Sequence, residues 1–126
     1  MVADGSMVRQ DYVAVRGKYL IYPAVQPDAA GNAAMVFTET SSSMFASSAY
    51  ATLKAGASNF GAPVVSARGR GPYFKGSTRW GDYSFAVPAT ESDSAWLATE
   101  YIPPMSSQTT DGHQNWGTRV VQVPLG

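Results

Sequence analysis

Residues 78–84 are the part of the chain richest in side chains that could bind or transform a ligand. They read Thr-Arg-Trp-Gly-Asp-Tyr-Ser, so seven residues carry a guanidinium, an indole, a carboxylate, a phenol and hydroxyls around Gly81. Aromatic faces beside charged groups suit a sugar, because the rings stack on its C–H face while the charged groups bind its hydroxyls. Arginine can also hold a carboxylate through two parallel hydrogen bonds. The segment is therefore the first candidate for a binding site.

The composition of the chain excludes several classes of function. Nine basic and nine acidic residues give a formal net charge of zero, whereas nucleic-acid binding usually needs a basic excess on one face. Cysteine is absent, which excludes disulfides, zinc–thiolate sites and cysteine nucleophiles. No apolar run approaches the roughly 18 residues of a transmembrane helix. We therefore expect neither nucleic acid nor a membrane as a partner.

The N-terminus carries no recognisable targeting signal. It lacks the basic start and apolar middle of a secretory signal peptide, so the sequence leaves the compartment open. We interpret residues 1–10 as a leader or fusion-derived segment and exclude them from the fold prediction.

Only 14% of the residues are charged, and Gly, Ala, Ser, Thr and Pro are abundant, a mixture typical of short strands joined by tight turns. Period-two patterns predict a strand pair over 11–26 broken at Gly17, and further strands over 33–40, 50–53 and 61–66. A turn is predicted between Pro27 and Asn32, and loops over 41–48 and 68–77. A helix over 46–56 is the rival reading, because that stretch contains reasonable helix formers.

The chain contains an internal repeat of about sixty residues. Residues 22–40 align with residues 83–101 without a gap, and Lys18-Tyr19 stands against Arg79-Trp80, a basic and an aromatic residue in each copy. The identical pairs are Tyr22/Tyr83, Pro27/Pro88, Ala34/Ala95, Thr38/Thr99 and Glu39/Glu100.

Repeated units of three or four strands are typical of propeller blades. The sequence therefore predicts an all-β fold with antiparallel β-propeller-type blades, one at 11–66 and one at 67–126. Because propellers need about four to eight blades, we expect two-blade chains to complete themselves by homo-oligomerisation, with the chain itself as partner.

Three segments resemble a known family: Arg79-Trp-Gly-Asp-Tyr-Ser84, Trp96-Leu-Ala-Thr-Glu-Tyr101 and Asn115-Trp-Gly-Thr-Arg119. In this order they resemble the C-terminal blades of bacterial, mostly exported, uncharacterised proteins with sialidase-like β-propeller repeats. The resemblance implies a fragment of a longer propeller. The stretch 92–96 only approximates a sialidase Asp-box, and the catalytic set of true sialidases cannot be mapped, so sialidase activity is not implied.

The repeat and the resemblance together predict a site at the mouth of the blades. Asp82 and Glu100 form a candidate acid and base pair for glycoside hydrolysis. The rival interpretation is structural, because the tryptophans can pack between sheets and Glu100 repeats Glu39. Asp82 is unique to the second copy. The candidate ligand-binding residues are Arg79, Trp80, Tyr83, Tyr101, Trp116 and Arg119.

We expect no metal and no cofactor. His113 is the single histidine, too few for a typical zinc site, and follows a predicted turn at Asp111-Gly112. The expected function is a self-assembling fragment that binds a small polar or carbohydrate-like ligand. The alternatives are a glycosidase-like or other hydrolase, and a structural fragment without its own activity.

Overall fold

A computed structural model describes residues 5–7, 9–73, 79–104 and 115–126. The described residues contain strands and no helix, so none that is long and apolar enough to cross a membrane. This confirms the all-β prediction. The strands form a four-stranded and a three-stranded antiparallel sheet, with strand orders β1-β2-β3-β4 and β5-β6-β7. They are β1 (Lys18–Pro27), β2 (Ala33–Ser41), β3 (Met44–Leu53), β4 (Val64–Ala67), β5 (Phe85–Pro88), β6 (Ser94–Tyr101) and β7 (Gly117–Pro124).

The turn between β1 and β2 forms where the sequence predicts it. The Asn32 backbone N–H donates to Asp28 Oδ1 at 2.8 Å, and the Asn32 side-chain amide donates to Asp28 Oδ2 at 2.7 Å. Gly31 has a φ of 93°, a conformation that glycine adopts without steric cost. The predicted break at Gly17 is also a turn, in which the Lys18 N–H donates to Val15 O.

Two predictions upstream of β4 are wrong. Residues 11–17 form no strand. The predicted loop 41–48 is a tight hairpin followed by β3, which also replaces the rival helix over 46–56. Serines tolerate the sheet interior here because their hydroxyls find partners: the Gly69 N–H donates to Ser47 Oγ at 2.8 Å, and Ser48 Oγ lies 2.7 Å from Ser66 Oγ.

The two sheets pack face to face through β2 and β6. Thr38 Oγ1 lies 3.2 Å from Thr99 Oγ1, and Thr38 also donates to the Glu100 carbonyl at 3.0 Å. Ser84 Oγ donates to Thr99 Oγ1 at 2.7 Å. The apolar core between the sheets consists of Ala34, Val36, Ala95, Leu97, Val123 and Leu125.

Repeat-equivalent residues meet at this interface. Ala34 and Ala95 share one core cluster, and Thr38 contacts Thr99. The same face of each sheet therefore packs on its counterpart, as in an interface with two-fold symmetry. Successive propeller blades are related by rotation about a central axis and pack front to back. The described residues thus show two packed antiparallel sheets and no propeller.

The outer face of the first sheet is covered by other parts of the chain. Phe37, Ala49 and Ala51 form a buried cluster there, against which Val13 and Phe60 pack. Residues 11–17, which were predicted to form a strand, thus cover the outer face of the first sheet.

Candidate functional site

A cavity of about 350 Å³ lies at one end of the second sheet, where β6 finishes. In the antiparallel order β5-β6-β7, the start of β5, the end of β6 and the start of β7 fall at the same edge. Three parts of the chain therefore come together here: the segment before β5, the last residues of β6 and the residue before β7. The lining residues are Tyr73, Arg79, Gly81, Asp82, Tyr83, Glu100 and Trp116.

The ion pairs of the two repeats differ at this position. In the first repeat, the Lys18 ammonium binds the Glu39 carboxylate, which is fully buried. The equivalent residues of the second repeat are Arg79 and Glu100, but the Arg79 guanidinium binds Asp82 instead. No hydrogen bond or ion pair joins the Glu100 carboxylate to another described residue. Asp82 therefore binds Arg79, whose equivalent in the first repeat, Lys18, binds Glu39.

The environment of Glu100 raises the pKa of its carboxyl group above that of an exposed glutamate. Partial burial raises the pKa of Glu100 above the ordinary value of 4.5, and the negative charge of Asp82 raises it further. Desolvation and a like charge both disfavour the ionised carboxylate. Glu100 therefore holds its proton to a higher pH than an exposed glutamate does, and it can donate as well as accept a hydrogen bond.

Gly81 allows the Glu100 carboxylate to approach the backbone. A Cβ atom at this position would overlap Glu100 Oε2. The φ of Gly81 is 34°, on the positive side that side-chain-bearing residues rarely occupy. The first repeat has Leu20 at the equivalent position. Gly81 and Asp82 are thus two residues by which the second repeat differs from the first at this site.

Trp80 lies outside this cavity. Its side chain lines a neighbouring cavity of about 270 Å³, together with Met44 and Phe45. The indole packs edge to face on Tyr73, with ring centroids 5.0 Å apart, and its buried N–H has no hydrogen-bond partner in the described part of the chain. Trp80 therefore supports the ring of Tyr73, which lines both cavities, and does not face the Asp82–Glu100 site.

Tyr101 and Arg119 are also separated from the other candidates. Successive side chains of a strand point to opposite faces, so Tyr101 points away from the face that carries Glu100. Arg119 pairs with Thr99 in the register of β6 and β7, and Thr99 faces the first sheet. The structure thus brings together Arg79, Asp82, Tyr83, Glu100 and Trp116, and it leaves Trp80, Tyr101 and Arg119 outside the cavity.

Tyr73 is a lining residue that the sequence prediction missed. Extending the repeat alignment backwards pairs it with Tyr12, and this signal could have drawn attention to it. Within the described ranges, no group of three His, Cys, Asp or Glu side chains is placed to hold a metal ion. Thr78, His113 and the predicted turn at Asp111-Gly112 lie outside the described residues.

Comparisons with protein-family models, with curated proteins and with solved structures found no match to this chain. The resemblance to the sialidase-like propeller family therefore stays a prediction. The interpretation of the cavity depends on its own geometry.

Proposed function

We propose that the chain binds a small polar ligand in the cavity between Asp82 and Glu100. The proposal depends on one observation about the Glu100 carboxylate. Its equivalent Glu39 binds Lys18, whereas the residue equivalent to Lys18, Arg79, binds Asp82 and not Glu100. A ligand hydroxyl or amine can supply the missing partner. The rings of Tyr83 and Trp116 offer faces on which an apolar part of the ligand can lie.

The two equivalent glutamates, Glu39 and Glu100, have different environments. Glu39 is buried and paired, as expected of a structural residue. Glu100 is partly exposed and lines a cavity, and its pKa is raised by desolvation and a nearby charge. Groups with this combination occur preferentially at functional sites. The structural interpretation therefore fits Glu39, whereas Glu100 fits a ligand contact.

The test is binding of a small-molecule panel by the full chain and by Glu100→Gln. We expect a member of a panel of monosaccharides, amino sugars, polyols and simple amines to shift backbone amide NMR signals of the cavity residues. Glu100→Gln should weaken its binding about tenfold or more, because hydrogen bonds to charged groups contribute roughly 1.5–3 kcal/mol. The matched control is Glu91→Gln, which replaces an exposed glutamate outside the cavity.

The proposal is wrong if no panel member shifts these signals. It is also wrong if Glu100→Gln binds as tightly as the unaltered chain. In the first case, the remaining reading is a structural fragment without its own activity.

A hydrolase is the second candidate, and the raised pKa of Glu100 favours it. A carboxylic acid with a raised pKa can act as general acid, while the Asp82 carboxylate serves as base or nucleophile. Chromogenic glycosides provide the readout, with Asp82→Asn and Glu100→Gln as variants. Activity that survives both substitutions would exclude this pair of residues.

Self-association remains part of the proposal. In the described part of the chain, β5 and β7 are the edges of the second sheet, and open edges favour pairing with another copy. Closure into a propeller is the finer version, and the contact between equivalent sheet faces does not support it. A mass measurement in solution that finds only monomer would exclude self-association.

A further inference from the structure

The outer face of the second sheet carries an uncharged and mostly apolar surface. The strand register places two rows of three side chains side by side on this face. None of the six is charged, and four large apolar ones are between 45% and 66% exposed. We call the six together the outer apolar face: Phe85, Ala98 and Val120 in one row, and Val87, Trp96 and Gln122 in the other.

The corresponding face of the first sheet is covered. There, Phe37 is buried beneath Val13 and Phe60. On the second sheet, Phe85 and Trp96 remain open to solvent. Contiguous apolar surfaces of a few hundred Å² on a soluble protein commonly mark binding sites.

The outer apolar face continues into the cavity. Glu100 follows Ala98 by two residues on β6, so both side chains lie on the same face of the sheet. Tyr83 precedes Phe85 by two residues and lines the cavity. The result is one surface with an acidic end and a long uncharged body.

The acidic end has an uncompensated negative charge when Glu100 is ionised. Arg79 and Asp82 form an ion pair with no net charge. Glu100 has no cationic partner among the described residues, and Trp116 and Tyr83 place aromatic rings around the same cavity. Carboxylates and aromatic faces both attract organic cations.

We propose that the ligand is an organic cation with an apolar body. Its ammonium group lies in the cavity against Glu100, and its hydrocarbon part lies over the outer apolar face. This inference rests on the proposed function, because it names the ligand class of the same site. A neutral sugar would use the cavity and leave the outer apolar face uncovered.

The test is calorimetric titration of the full chain at pH 7 with butylamine, hexylamine and octylamine, and with hexanol as the neutral probe. Affinity should rise about threefold to fourfold for each methylene that the outer apolar face covers. Hexanol should bind about tenfold more weakly than hexylamine. Glu100→Gln should remove this preference, and Phe85→Ser should reduce the dependence on chain length. The control Val64→Ser, on an exposed valine of β4, should change neither.

The outcomes separate this inference from the proposed function. If a sugar binds in a Glu100-dependent way and the amines do not, the inference is wrong and the proposed function stands. If neither sugars nor amines bind, both are wrong. Equal affinity for hexylamine and hexanol, or a preference that survives Glu100→Gln, would also overturn the inference.

Discussion

Replacing Lys18 with methionine is expected to lower the free energy of unfolding by about 3 kcal/mol. Glu39 is fully buried and bound by the Lys18 ammonium, and its Oε2 atom has no hydrogen-bond partner among the described residues. Removing the cation leaves a buried carboxylate with neither water nor a counter-charge, which is strongly destabilising. The measurement is urea or thermal unfolding at pH 7.

The repeat supplies a matched control for this prediction. Arg79 is the equivalent of Lys18, but its ion pair with Asp82 is exposed. Arg79→Met should therefore change stability by less than about 1 kcal/mol. The double variant Lys18→Met with Glu39→Leu should recover most of the loss, since removing both charges relieves the unpaired carboxylate. Equal losses for Lys18→Met and Arg79→Met would contradict the difference between the repeats.

Leu97→Ala is expected to destabilise the fold by about 3–4 kcal/mol. Leu97 is fully buried in the core between the sheets, beside Val36 and Val123. Truncation removes buried methyl groups and leaves a cavity that the sheets on either side cannot close completely.

The control for Leu97→Ala lies on the neighbouring strand. Val120 is 55% exposed on the opposite face of the same sheet, so Val120→Ala should cost about 0.5 kcal/mol or less. Unfolding in urea measures both variants. A loss below about 1 kcal/mol for Leu97→Ala would mean that the sheets are not packed as described.

Local signals in the sequence were sufficient for the strands and the turn that depend on near neighbours. The β1–β2 turn is closed by Asp28 and Asn32, which are four residues apart. The start of β3 could not be predicted in this way, because its buried serines depend on partners about twenty residues away, such as Ser66 and Gly69. Only the fold brings those partners close.

The site was partly predictable for the same reason. The repeat placed Asp82 and Glu100 near each other, and the cavity contains both. Strand alternation alone could have excluded Tyr101, its neighbour. The sequence could not predict whether Arg79 pairs with Asp82 or with Glu100, because the two carboxylates are chemically equivalent acceptors.

The shifted pKa of Glu100 gives the stability a defined pH dependence. Between pH 4.5 and the raised pKa, the folded chain binds more protons than the unfolded chain. The free energy of unfolding should therefore fall as the pH rises through this window. Glu100→Gln should remove that slope. The lowered pKa values of Asp11 and Asp28 act below 3.8, where stability is lost as the pH falls, so they do not obscure the effect.

A carbon-13 NMR titration of the Glu100 carboxyl group tests directly whether Asp82 controls this site. The central claim is that Asp82 draws Arg79 away from Glu100 and leaves that carboxylate available to a ligand. We expect a pKa above 4.5 for Glu100, and a lower value in Asp82→Asn, where the like charge is gone and Arg79 can turn to Glu100. A Glu100 pKa at or below 4.5, or one unchanged by Asp82→Asn, would contradict the claim.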